Sequence, residues 1–181
     1  MFNLRNSLFS CLAIATLAGI SLSANGPTNA QSAGNAATTT VAATTSTKPV
    51  KVFFPTSRSQ QDFSYVAPVV RRTQTQGVAQ FAIEQLIAGP TSQERQQGFR
   101  APINFQGSSN CGRDFKLAVS TGVAKLQFCK QVVSGGIGDD ARIKSSISAT
   151  LKQFSSISSV VLLDRNGNCL NDQSGENRCL R

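Results

Sequence analysis

Four cysteines, Cys111, Cys129, Cys169 and Cys179, are the residues of this chain best placed for covalent or metal chemistry. In an exported protein four such residues predict two disulfides, with three possible connectivities. Cys111 and Cys129 bracket one stretch of alternating apolar residues, and Cys169 and Cys179 bracket a polar tail. Local pairing within each bracket is therefore the expectation, and a Cys111–Cys169 bond would be the non-local alternative. The rival reading is a zinc site or a reactive thiol. No CxxC pair exists and the chain has no His, the commonest partner ligand. The absence of His also removes the Ser-His-Asp and Cys-His routes to a nucleophile.

Asp164, Asn166, Asn168 and Asp172 fall at positions that match the first, third, fifth and ninth ligands of a calcium loop. Gly175 stands where the bidentate Glu belongs, and Cys169 where Gly is expected. The competing reading is a run of Asx turns closed by a disulfide. Asp139-Asp140 is the one adjacent acidic pair, and a helix N-terminus accounts for it through the dipole. No Ser lies in a GxSxG elbow. Gly135-Gly136-Ile137-Gly138 is too short and lacks the Lys of a phosphate loop. The sequence therefore implies no enzyme, no metal and no cofactor.

Lys and Arg number 18 against 9 Asp and Glu, a net charge of +9. Residues 1–30 contribute only Arg5 to that balance, so the remainder carries +8. Such a surplus favours anionic partners: phosphate-bearing wall polymers, acidic lipid heads or nucleic acid. The basic residues are scattered, with only Arg71-Arg72 adjacent and no aromatic interleaving, which argues against nucleic acid. Arg71, Arg72, Arg142 and Lys144 are the candidates for an anionic polymer.

The elements that must carry these residues can be read in order. Arg5, the apolar run Leu8–Ile20 and the small residues Thr28-Asn29-Ala30 predict a signal peptide over 1–30, cleaved near Ala30. Its apolar run is interrupted and shorter than a membrane span, so no stable span is expected after cleavage. Leu8-Phe9-Ser10-Cys11 is similar to a lipoprotein box but too little apolar sequence precedes Cys11. Residues 31–48 are Thr, Ala, Ser and Gly with almost nothing to bury, which reads as a flexible linker.

The folded domain is expected over 49–164, with 165–181 as a disulfide-closed tail. Val50–Phe54 reads as a strand stopped by Pro55, and Tyr65–Arg72 as an extended piece placed at an edge by Pro68. Ala79, Ala82, Ile83 and Leu86 share one helical face, while Phe81 lies off it. Gly89-Pro90 ends that helix, and Thr91 and Glu94 have the spacing of a capping box for a short second one. Residues 99–112 read as loop. Phe115, Leu117 and Val119, then Ala124, Leu126 and Phe128, alternate as a hairpin about Thr121-Gly122. Ile143, Ile147, Leu151 and Phe154 recur at helical spacing, and Ser159–Leu163 is a short strand. The order predicts an α+β, two-layer sandwich, with two helices on one face of a small, mainly antiparallel sheet.

With these elements placed, the chain resembles the GerMN domain of sporulation and spore germination proteins. The matching residues are Val50–Pro55 (VKVFFP), Val66–Arg71 (VAPVVR), the run Leu86, Gly89, Pro90, Thr91 (LIAGPT) with Glu94, and Thr150–Phe154 followed by Val160-Val161. They span about residues 50–164. Residues 103–112 and the Thr121-Gly122 turn depart from the family's pattern. The resemblance implies a small α/β domain related to ring-building motifs, located outside the cytoplasmic membrane and without known catalytic residues. The functional expectation is a non-catalytic interaction module of the cell envelope that packs against an envelope protein or a copy of itself. Phe81 and Phe99 are candidate anchors, unless they fill a satellite core. The alternative is a monomeric binder of an anionic envelope polymer. Expression in a Sec-competent host, followed by N-terminal sequencing, should return a start near Ala30; a start at Met1 would refute the signal peptide.

Overall fold

A computed structural model describes residues 46–181. The expected signal peptide (1–30) and residues 31–45 of the expected linker lie outside the described residues. β1 (Lys48–Phe54) pairs antiparallel with β2 (Ala67–Thr73) in the register Val50↔Arg71 and Val52↔Val69. Alternation in KPVKVFF decides which face is buried: Val50, Val52 and Phe54 are enclosed, while Lys51 is exposed. α1 (Val78–Ala88) and the long α3 (Ile137–Lys152) lie side by side against that buried face. Ala82, Ile83 and Leu86 from α1 meet Ile143, Ile147 and Leu151 from α3 in a single core with Val52 and Phe54.

β4 (Phe115–Ser120) and β5 (Val123–Phe128) form the expected hairpin. Its two-residue turn places Thr121 and Gly122 both at positive φ, 48° and 80°. The Gly122 carbonyl accepts the N–H of Ser158, so the turn docks where β7 (Ser159–Leu163) begins. β7 runs parallel to β5, in the register Ala124↔Val160 and Leu126↔Leu162. A parallel pair needs a crossover, and α3 supplies it.

The α+β class and the mainly antiparallel pairing hold, with two refinements. The described strands divide into three sheets, and the β5–β7 pair is parallel. The segment read as loop over 99–112 contains β3 (Asn104–Gln106), which pairs with β6 (Gln131–Val133). Three-residue strands leave no alternation long enough to register in sequence. They form because Phe105 stacks edge-on against Phe128, with ring centres 5.6 Å apart.

Among the described residues, the outer edge of β1 has no neighbouring strand, and side chains from the end of α3 and just beyond complete it. Lys51 donates its N–H to Gln153 Oε1 (2.8 Å), and its carbonyl accepts Gln153 Nε2 (2.6 Å). Phe53 donates its N–H to Thr150 Oγ1 at 3.0 Å. These outward groups fix the parity of the ladder: Val50, Val52 and Phe54 bond to β2, whereas Lys51 and Phe53 do not. Their opposites, Val70 and Pro68, therefore also face away from the pair. Pro68 costs the ladder nothing, because the N–H it lacks would point outward.

Thr150 is fully buried, so removing its hydroxyl strands the Phe53 N–H inside the protein. Thr150→Val should lower the unfolding free energy by about 1–3 kcal/mol. Urea denaturation checks this, and an unchanged midpoint would contradict it.

Candidate functional site

The run from Leu86 to Glu94 is where most polar side chains converge. Leu86 is buried in the core, and Gly89 follows α1 at φ +81°, a conformation costly for any residue with a Cβ. The Gly89 N–H closes the helix on the Gln85 and Leu86 carbonyls. Thr91 then caps α2 (Ser92–Gln96): its Oγ1 accepts the Glu94 N–H at 3.2 Å, and Glu94 Oε2 accepts the Thr91 N–H at 2.8 Å. The same carboxylate receives both arms of Arg71, Nη1 to Oε1 at 2.6 Å and Nη2 to Oε2 at 2.7 Å. The two side chains are only 15% and 14% exposed, so the pair is shielded rather than solvated. The Arg71 hydrogen bonds are the main cause that holds Glu94 far below its ordinary 4.5, at about 2. A carboxylate so weakly basic has no use as a general base at neutral pH. Its role is to tie α2 to β2.

All four cysteines are bonded, Cys111 to Cys129 and Cys169 to Cys179. No thiolate remains among them to ligate zinc or attack a substrate. The first bridge pins the 107–114 loop to the end of β5, where the Cys129 N–H also bonds the Asp114 carbonyl. The second holds the tail against β7.

Asp164 and Asp172 turn their oxygens onto the backbone. Asp164 Oδ1 accepts the N–H groups of Asn166 (2.8 Å) and Asn168 (2.9 Å). Asp172 accepts from Ser174 through Oδ1 and from the Asn177 N–H through Oδ2 (2.8 Å). The Ser174 hydroxyl is the largest influence lowering the Asp172 pKa. Asn177 in turn accepts the Cys169 N–H and donates to Asn168. This is the network of Asx turns, and it engages Asp164 Oδ1, Asn168 Oδ1 and both carboxylate oxygens of Asp172. Among the described residues, no three His, Cys, Asp or Glu side chains are grouped to hold a metal ion.

The basic residues do not gather. Arg71 belongs to Glu94. Arg142 donates Nε to the Ser59 carbonyl (3.0 Å) and Nη1 to Asp139 (2.7 Å), and it stacks on Phe63. Arg72 and Lys144 are exposed on different elements, β2 and α3. Arg142 instead shares a cleft of about 310 Å³ with Arg100, Gln60 and Asn104, none of which the sequence singles out. Asp139 also accepts the Gly135 N–H, so this acid of the Asp139-Asp140 pair serves the start of α3. Phe81 and Phe99 are both half-buried, and Phe99 packs on the core.

These features define a small disulfide-bonded α+β domain whose polar residues chiefly brace its own fold. The family model described as "Germane: Sporulation and spore germination" matches residues 51–170, and the chain belongs to that family. Among solved structures it is similar to the tandem GerMN domains of the sporulation protein GerM from Bacillus subtilis. That match has 23% identity and a TM-score of 0.47, and covers 69% of this chain and 41% of the other. The chain thus spans about two-fifths of that tandem structure. It is also similar to the first GerMN domain of the same protein, with 23% identity, a TM-score of 0.45, and coverage of 68% and 86%. No curated protein matches.

The Glu94 pKa gives a pH signature. A carboxyl depressed on folding stabilises fully above its unfolded value and loses that contribution as pH falls through the folded one. Glu94→Gln should therefore cost about 1–3 kcal/mol near neutral pH. The gap from the parent should close between pH 4.5 and about 2. Denaturant titrations across that range check it, and a pH-independent gap would contradict it.

Proposed function

We propose that the chain is an extracytoplasmic, non-catalytic interaction module of the bacterial cell envelope that works by packing against an envelope protein. The observation that carries this reading is where its chemically capable side chains are spent. Glu94 holds Arg71, Asp139 holds Arg142, Asp164 and Asp172 hold turns, and the cysteines hold each other. Two disulfides favour an oxidising compartment over the cytosol. Among the described residues, no helix is long and apolar enough to cross a membrane. Membership of a family described by sporulation and spore germination supports a non-catalytic module.

The net charge favours a second reading, a monomeric binder of an anionic envelope polymer. Against it, Arg71 and Arg142, two of the four residues it would use, already have internal carboxylate partners. Blue-native electrophoresis of envelope fractions from the producing cell separates the two. The first reading expects migration well above the 19.2 kDa chain, insensitive to salt. A monomer that binds wall polymer and releases it as salt rises would overturn it.

A further inference from the structure

The β1–β2 ribbon has two edges, and among the described residues only one is sealed. We propose that the open edge, along Pro68, Val70 and Arg72 of β2, docks an extended acidic segment of a partner protein as an added strand. The inference rests on the reading of the chain as an interaction module, and it names the surface and the chemistry of the partner.

On β1, Gln153 just beyond α3 takes the outward N–H and C=O of Lys51, and Thr150 of α3 takes the outward N–H of Phe53. On β2, ladder parity turns the N–H and C=O of Val70 and Arg72 outward. Neither residue's backbone has a partner beyond β1 among the described residues. Unpaired outward groups in a row are a template for another strand. Val70 is 56% exposed, and Pro68 and Arg72 on the same row are exposed too.

Side-chain chemistry selects the occupant. On the outer face of the ribbon, Pro49 lies opposite Arg72, Lys51 opposite Val70, and Phe53 opposite Pro68. The two strands, KPVKVFF and APVVRRT, hold Lys48, Lys51, Arg71 and Arg72 and no acid. Glu94 neutralises Arg71, which leaves three cations on a partly apolar ribbon. An added strand that places carboxylates near Lys51 and Arg72 is therefore attracted, and a basic one repelled.

The other face of that strand also has a place. A groove of about 380 Å³ lies between Pro68–Val70 of β2 and Thr91, Gln93, Glu94, Gln97 and Phe99. It gives room for a small side chain of alternate parity. A second copy of β2 fits poorly. Paired antiparallel about Val70, each Arg72 would face a Pro68, which has no N–H for the Arg72 carbonyl.

The test uses the full chain and a short synthetic peptide that alternates Glu and Val. Site-resolved hydrogen exchange should show the Val70 and Arg72 amides slowed by about tenfold or more at saturating peptide. The effect should fade as salt rises. A Lys–Val peptide should give no protection. Val70→Pro removes an outward donor while leaving the bonds to β1, and should abolish protection at Arg72 with β4–β5 exchange unchanged. Arg72→Glu should weaken the acidic peptide and admit the basic one. Absence of protection by the acidic peptide would overturn the proposal, as would equal protection by the basic one. Protection that grows with protein concentration alone would assign the edge to a second copy and also overturn it. A large envelope assembly with a silent edge sinks only this inference. Absence of any assembly sinks the broader reading instead.

Discussion

The structure depends on how β1 is enclosed. Val50, Val52 and Phe54 sit beneath α1 and α3, so one strand supplies the surface on which both helices converge. A strand buried on one face must still satisfy its backbone, because an unpaired amide inside the protein costs as much as a core contact contributes. α3 meets both demands. Its Ile143, Ile147 and Leu151 pack on β1, and Thr150 and Gln153, from its last turn and just beyond it, complete the hydrogen bonds at the free edge. Apolar packing and polar satisfaction thus come from one helix in one register, so a slip of α3 along β1 would lose both.

The Leu86–Glu94 run works by the same economy at the other side of the core. Gly89 and Pro90 stop α1 sharply, Thr91 restarts the chain as α2, and Glu94 joins the cap to β2 through Arg71. One carboxylate satisfies a helix N-terminus and a buried guanidinium together, so neither is left as an isolated charge. This explains how an acidic residue in a distinctive motif has no catalytic meaning. Its electrons are held by three nearby donors, two from Arg71 and the Thr91 N–H.

Much of this was legible in sequence because it rests on long, repeated signals. The stripe Ala82, Ile83 and Leu86, the alternation of Phe115–Phe128 and the capping pair Thr91–Glu94 each involve several residues that agree. β3 and β6 were not legible, since three residues cannot show a period and their pairing depends on Phe105 reaching Phe128. The parallel β5–β7 pair was legible in principle: hairpin, helix, strand is a crossover order, and the short apolar Ser159–Leu163 suits a shielded strand. Arg71 as the partner of Glu94 was hidden for a different reason. A contact between residues 23 apart leaves no local trace, and adjacent Arg71-Arg72 reads as a basic patch until the strand separates them onto opposite faces.

That separation bears on function. Among the described residues, seven strands in three small sheets create many edges, and each needs an occupant or a defence. α3 fills the edge of β1. The tail fills the outer edge of β7: Leu170 donates to the Leu162 carbonyl, Cys169 bridges Leu163, and the Cys169–Cys179 bond holds the segment there. The tail disulfide is thus best understood as a clasp for an edge strand too short to stay by itself. Among the described residues, β2 has received neither a helix nor a clasp, only Pro68 and the charge of Arg72. Those two devices deter a like strand while leaving the Val70 and Arg72 backbone groups available to an unlike one. An edge guarded by chemistry rather than by cover is selective, and selectivity is the property that an interaction module must encode in its surface.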